Sequence, residues 1–198
     1  MTDWEGTDRQ GHRSRPGGIA ACELPDGALL VKYREAGAYT DCYATQMARP
    51  VSQAEYVEAF YTTWVFKLER SLLAWFVSKP STDLQARALA SGQIDAFAAW
   101  HVEGRTGNQL LMCDFQGRTR SWLMSVAVPA DATTGTRLYF GSAVVPVTGR
   151  GSGRSTMGFA FRALLGFHRI YSRILLHAAM SRLRRSRRTS WTSTSGGA

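Results

Sequence analysis

The sequence predicts an α+β fold: a curved antiparallel β-sheet gripping a long C-terminal helix, with a helical pair after the first strand. Three observations predict it. The stretch 52–76 repeats its apolar residues at spacings of three and four, the period of a helix face. The stretch 95–147 abandons that period for short apolar runs separated by turn residues, and short breaks imply antiparallel neighbours. From Met157 to Leu183 the helical period returns.

Residues 1–26 are rich in Gly, Arg, Asp and Pro and carry little apolar content, so they read as a disordered N-terminal tail. Ala28-Leu29-Leu30-Val31 reads as a short edge strand or a docking segment. Tyr39 to Met47, ending at Arg49-Pro50, reads as a strand. Ser52-Gln53-Ala54-Glu55 has the pattern of a capping box, in which the Ser hydroxyl accepts from the amide three residues on and the Glu reaches back. The stripe behind it is Val57, Phe60, Tyr61, Trp64, Leu68, Leu72, Trp75 and Phe76, with Glu58, Lys67 and Arg70 opposite. Thr62-Thr63 is a point where this segment can divide into two helices, since such side chains bond the local backbone. Lys79-Pro80 ends it. The next helix starts at Ser81-Thr82-Asp83 with Gln85 placed for the cap, runs through Leu84, Ala88 and Leu89, and stops at Gly92.

Four strands follow, at Asp95 to Glu103, Gln109 to Phe115, Arg118 to Val128 and Thr136 to Val147. The breaks are Gly104 to Asn108, Gln116-Gly117 and Pro129 to Gly135. A two-residue turn at Gln116-Gly117 sets Cys113 opposite Arg120 and Leu111 opposite Trp122, with Met112, Asp114, Thr119, Ser121 and Leu123 on the other face. Neither face is wholly polar, so the sheet needs cover on one side and room for a ligand or loop layer on the other. The last helix carries an apolar stripe of Met157, Phe161, Leu164, Leu165, His168, Tyr171, Leu175 and Ala179. The domain therefore spans 27–183, and 184–198 is a basic, then Ser/Thr/Gly-rich tail expected to be disordered.

Charge separates the chain in two. The 198 residues carry 24 basic and 15 acidic side chains, but residues 150–198 alone hold ten arginines and no acid. The body is thus close to neutral, which excludes a uniformly basic nucleic-acid binder. Weak contact with an anionic surface through Arg182, Arg184, Arg185, Arg187 and Arg188 remains a separate expectation; a frayed, soluble helix end explains the same run. The longest apolar run, Leu72 to Val77, is far short of the roughly 20 residues of a membrane span. The first residues lack the basic start and apolar stretch of a secretory signal, so a cytoplasmic location is expected.

No catalytic motif stands out. Gly149 to Thr156 lies between a strand and a helix but lacks the lysine of a phosphate loop, and Arg154 sits where a dinucleotide fingerprint needs glycine. The histidines His12, His101, His168 and His177 have no helical metal-pair spacing, and Cys22, Cys42 and Cys113 are too few and too scattered for a zinc site or a disulfide framework. Three free thiols are expected, and no cofactor or metal. Glu103 and Asp114 flank a hairpin, either as a carboxylate pair or as ordinary solvated charges.

The order of elements, together with Tyr39-Thr40-Asp41, Ala59 to Thr63, Phe66 to Arg70, Gly117 to Trp122, Tyr139 to Pro146 and Leu165 to Arg173, resembles the helix-grip fold of the START/SRPBCC superfamily, which includes birch-pollen-allergen-like proteins and polyketide cyclases. The chain looks closest to a bacterial family of unknown function within it. The resemblance covers roughly 39–180 and rests on order and texture. It implies an apolar cavity between the sheet and the last helix, used by many members to hold lipids, sterols or aromatic metabolites. No catalytic residue carries over.

The expected function is non-catalytic binding of a small apolar molecule, with Trp100, Met112, Trp122, Tyr139, Phe161, His168 and Tyr171 as candidate pocket residues. The alternative from the enzyme class is a cyclase- or hydrolase-like activity in the same cavity, with His168 or Asp114 as acid or base.

Overall fold

The computed structural model describes residues 18–66, 82–130, 133–145 and 172–185. The described elements are β1 (Ala20–Ala21), α1 (Val31–Glu35), β2 (Tyr39–Met47), α2 (Gln53–Tyr61), α3 (Asp83–Ala90), β3 (Ala96–Phe97), β4 (Trp100–Thr106), β5 (Gln109–Asp114), β6 (Thr119–Ala130), β7 (Thr133–Val144) and a C-terminal helix α4 over 172–185. The class is α+β. The strands form one seven-stranded antiparallel sheet in the order β1-β2-β7-β6-β5-β4-β3. β1 lies within the stretch 1–26, whose first 17 residues are outside the described ones.

β2 forms where its alternation is read, from Tyr39 to Met47, and pairs with β7 from Tyr39↔Val144 to Met47↔Thr136. The central hairpin has the register that a turn at Gln116-Gly117 requires: Leu111↔Trp122, Met112↔Ser121 and Cys113↔Arg120. Gly117 takes φ +69°, a conformation open to glycine at no steric cost.

Three expectations are corrected. The strand Asp95 to Glu103 is broken at Ala98-Ala99 into β3 and β4, with Phe97 opposite Trp100. Ala98 carries the turn at φ 53°, so no glycine marked it in the sequence. The first break, Gly104 to Asn108, is narrower than read: β4 runs on to Thr106, because one extra residue, Glu103, bulges between Val102↔Met112 and Gly104↔Leu111. The third break, Pro129 to Gly135, is likewise mostly strand. Pro129 pairs with Thr134 in an arm of β6 whose register with β5 has already ended at Met124, so its missing N–H costs no ladder bond on that side.

Local bonds fix the helix ends. The Ser52 Oγ accepts from Glu55 N at 3.1 Å, but the Glu55 carboxylate goes to Arg49 at 2.7 Å instead of back to the cap. Thr62 and Thr63 turn their hydroxyls onto the carbonyls of Glu58 and Phe60, and α2 ends at Tyr61. Trp64, expected on the buried stripe, is 70% exposed, and Val65 and Phe66 are buried in its place. Leu68, Leu72, Trp75 and Phe76 lie outside the described residues. Thr82 and Gln85 make a reciprocal capping box at α3. Leu84 of this helix is exposed; Leu89 faces the core as expected, joined by Ala86. α2 and α3 pack together and are linked by Arg87 and Glu58 at 2.9 Å.

Helices cover one face of the sheet, and a loop layer from the N-terminal segment covers the other. On one face Tyr43, Met47, Leu110, Met112, Leu123, Leu138 and Phe140 meet α2, α3 and α4. Phe60 is the hub, with ring centroids 5.0 Å from Phe140 and 5.3 Å from Tyr61. α4 contributes Leu175, Leu176, Ala179, Met180 and Leu183, and Thr45 Oγ1 donates to Met180 Sδ at 3.0 Å. Arg49 donates to the Leu183 carbonyl at 3.0 Å, closing the C-terminal end of α4 onto β2. On the other face Cys42, Leu111, Trp122, Met124 and Ala143 meet Leu24, Ala28 and Leu30. The stretch Ala28 to Val31 is thus a docking segment leading into α1, not a strand.

Trp122 lies flat across this second face because β7 offers it Gly141. A Cβ at 141 would stand 3.0 Å from Trp122 Cε3 and 2.9 Å from the Asp41 carbonyl. Gln109 then ties the covering segment down: its Oε1 accepts from Leu29 N and from Trp122 Nε1, both at 2.9 Å, and its Nε2 donates to Gly27 O at 3.1 Å.

Candidate functional site

A cleft of about 440 Å³ opens where β1 runs out against β2, below the first described turn of α4. Ala21, Cys22, Thr40, Asp41, Cys42, Tyr43 and Arg173 line it. Strand alternation decides what each contributes. Asp41 and Tyr43 point toward the helices, while Cys42 points to the opposite face, so the cleft wraps round the strand. β1 pairs only with Tyr43 and Ala44, and Cys22 N adds a bond to Cys42 O at 3.0 Å. The short strand leaves the rest of the cleft wall uncovered by its partner.

The polar groups are few. The Arg173 guanidinium stands 5.6 Å from the Tyr43 ring centroid, within cation–π range. Asp41 Oδ1 accepts from Ser142 Oγ. The Cys22 and Cys42 sulfurs are 3.3 Å apart, and both are free thiols. Their protons are unequally held. The hydrogen bond shared with Cys42 lowers the Cys22 pKa, and Arg137 adds to this against the opposing effect of burial. Cys42 is pushed up by the same bond, by its own burial and by Asp41. Cys22 therefore ionises first and Cys42 keeps its proton.

A second polar cluster joins α1 to the sheet on the Trp122 face. Tyr33 Oη donates to Glu103 Oε1, Arg120 Nε reaches both Glu103 Oε2 and Tyr33 Oη, and Lys32 Nζ lies 2.6 Å from Glu103 Oε1. The β4 bulge places Glu103 there. Burial alone would raise the Glu103 carboxyl, but the hydrogen bonds from Lys32, Tyr33 and Arg120 outweigh it and hold the pKa below its ordinary value. Burial and then the Glu103 bond push Tyr33 up to about 12. At neutral pH Glu103, Tyr33 and Arg120 are fixed in charge and engaged with one another, so the cluster is a pin.

The sequence-based pocket residues do not converge. Met112 is fully buried in the helix-side core and Trp100 packs half-buried against the same core. Trp122 is fully buried on the opposite face, where Tyr139 lies 6.3 Å from it between ring centroids. None of these four lines the cleft. Phe161, His168 and Tyr171 lie outside the described residues, as do the Gly149 to Thr156 loop, Arg187 and Arg188. Glu103 and Asp114 are not a pair: Asp114 Oδ1 accepts from Arg118 N at 2.7 Å and Thr119 N at 3.2 Å, so it is a turn cap of the β5–β6 hairpin. Arg182, Arg184 and Arg185 are exposed at the end of α4.

Asp41, Tyr43, Arg173 and the thiol pair are the residues that sequence reasoning missed. The available signal was the alternation of β2, which assigns Asp41 and Tyr43 to one face and Cys42 to the other. Cys22 gave none, because a two-residue strand has no periodicity to read.

Among the described residues no three His, Cys, Asp or Glu side chains come together as a metal site, and no helix is long and apolar enough to cross a membrane. No family model, curated protein or solved structure matches the chain.

Proposed function

We propose that the protein is a non-catalytic binder of a small, largely apolar molecule, held between the sheet and the C-terminal helix in a helix-grip arrangement. The observation that carries this reading is the cleft between β2 and α4, whose volume of about 440 Å³ falls within the size of ordinary ligand sites. Tyr43 forms part of the apolar wall, and Arg173 supplies one orienting charge. The favoured ligand therefore has an apolar body and a single anionic or acceptor group directed at Arg173. The Asp41 carboxylate is bonded to Ser142, which favours a binding role for it over an acid–base one.

The test is a fluorescence titration with 1-anilinonaphthalene-8-sulfonate, which has an apolar body and one anionic group. The expected result is saturable one-site binding that weakens at least tenfold in Arg173→Ala and is blocked in Ala21→Trp, with melting temperatures close to wild type. Equal binding by all three proteins would defeat the proposal. Native mass spectrometry of protein purified from its host, with extraction of bound compounds, then identifies the natural ligand.

A further inference from the structure

Cys22 and Cys42 face each other across an antiparallel pairing, with their sulfurs 3.3 Å apart. A disulfide needs about 2.05 Å between sulfurs and Cα atoms roughly 4.4–6.8 Å apart. Opposed residues of antiparallel strands have Cα separations of about 4.5–5.5 Å, which lie inside that range. Small side-chain rotations therefore close the bond and leave the backbone in place. The two thiols also differ in access. Cys22 is half-buried on the wall of the cleft, and Cys42 is buried behind it. Arg137 acts on Cys22 from the same face, and Arg173 lines the cleft itself. An anionic reagent entering the cleft is drawn toward the thiol that ionises first.

We propose that Cys22 and Cys42 form a redox-modification site, oxidised to a cross-strand disulfide by a small anionic disulfide of the glutathione type. The Cys22 thiolate attacks one sulfur of the reagent. The reagent's S–S bond breaks, its other half leaves as a thiolate, and a mixed disulfide stands on Cys22. Cys42 then loses its proton to solvent, and its thiolate attacks the Cys22 sulfur. The mixed disulfide breaks and the second half leaves. Two electrons pass from the cysteine sulfurs to the reagent, and the two protons given up by the cysteines are matched by those taken up by the two small thiols. Cys113 takes no part: it is buried in β5, with its Sγ on the Asp114 carbonyl at 3.3 Å. The site rests on strand pairing and sulfur separation, so it stands whether or not the cleft holds a ligand.

The experiment treats the full chain with excess oxidised glutathione, removes the reagent, alkylates with iodoacetamide in denaturant so that buried thiols react, and weighs the intact protein. The expected product has lost the mass of two hydrogens, carries one alkyl group on Cys113 and yields a linked peptide joining Cys22 to Cys42. Dithiothreitol restores three alkylatable thiols. Cys113→Ala gives the same bridge with no alkyl group. Cys22→Ser gives no bridge, and its Cys42 gains no glutathione over the same time course. The oxidised protein melts about 5 °C or more above the reduced one, because the bridge constrains the unfolded chain. A glutathione adduct that persists on Cys22, three alkylated cysteines after treatment, or a bridge that uses Cys113 would each overturn the proposal. The wild-type and Cys113→Ala products decide the question even if Cys22→Ser fails to fold.

Discussion

Gly141→Ala is the sharpest probe of how the second face is built. A Cβ at this position would stand 2.9 Å from the Asp41 carbonyl, 3.0 Å from Leu30 Cδ2 and 3.0 Å from Trp122 Cε3. Ordinary carbon contacts lie near 3.5–4.0 Å, so three neighbours are each about half an ångström or more too close. Leu30 can yield by rotating. The Asp41 carbonyl belongs to β2 at the Asp41↔Ser142 pairing, and Trp122 is fully buried and bonded to Gln109, so neither yields cheaply. Overpacking of this kind costs about 1–3 kcal/mol, and the gain from replacing a strand glycine offsets roughly 0.5–1 kcal/mol of it. The expected net loss is about 1–2 kcal/mol, seen as a lower urea midpoint at unchanged slope. Gly107→Ala is the control: nothing lies within 4 Å of its Cβ, and its stability should stay within about 0.5 kcal/mol of wild type. A Gly141→Ala protein as stable as the Gly107→Ala control would refute the close packing of Trp122 on β7.

Gln109→Ala removes the partner of Leu29 N, Trp122 Nε1 and Gly27 O together, and is expected to cost about 2–4 kcal/mol, with lost hydrogen-exchange protection at the Leu29 amide as the specific readout. The Glu103 pKa is lowered on folding, so its contribution to stability is present above the unfolded carboxyl value near 4.3 and is lost as pH falls through the folded value. Urea midpoints measured from pH 6 to pH 3 should therefore fall less steeply in Glu103→Gln than in wild type, and parallel curves would contradict the pin. Leu183→Ala should destabilise by about 2–4 kcal/mol, whereas Arg184→Ala with Arg185→Ala should change thermal stability by about 0.5 kcal/mol or less, since Leu183 is buried and both arginines are exposed. Ala98→Gly should stabilise by up to about 1 kcal/mol, because it relieves the φ of 53° at the β3–β4 turn; a loss of stability would show that the turn is unstrained.

What the sequence made legible was what repeats or what punctuates. β2 has nine residues of alternation and formed at the bounds read for it. The β5–β6 register followed from one glycine at the right place, Gly117. The Thr82 cap of α3 was equally visible. What stayed hidden was set by contacts distant in the chain. Nothing local shows that Glu103 bulges to meet Tyr33 and Arg120, or that Ala98 turns a corner without a glycine. The cleft was hidden for the same reason. Its walls come from Cys22, from Thr40 to Tyr43 and from Arg173, three segments that only the folded sheet brings together. Large apolar side chains drew the pocket expectation toward Trp122 and Met112, which fill two separate cores.

The pairing of β2 with β7 also governs the order in which the molecule assembles. Tyr39 meets Val144, so an early strand waits for nearly the last one before it has a neighbour on that side. The meander from β3 to β7, by contrast, joins strands adjacent in sequence, and its loop-closure cost is small. The hairpins of that meander are the natural nucleus. The insertion of β2, bringing β1 and the docking segment with it, is the late and slow step. Until it occurs, β7 has a bare edge and Trp122 has no cover. A nascent chain released before residue 144 would therefore hold β2 without the full length of β7 on which it pairs.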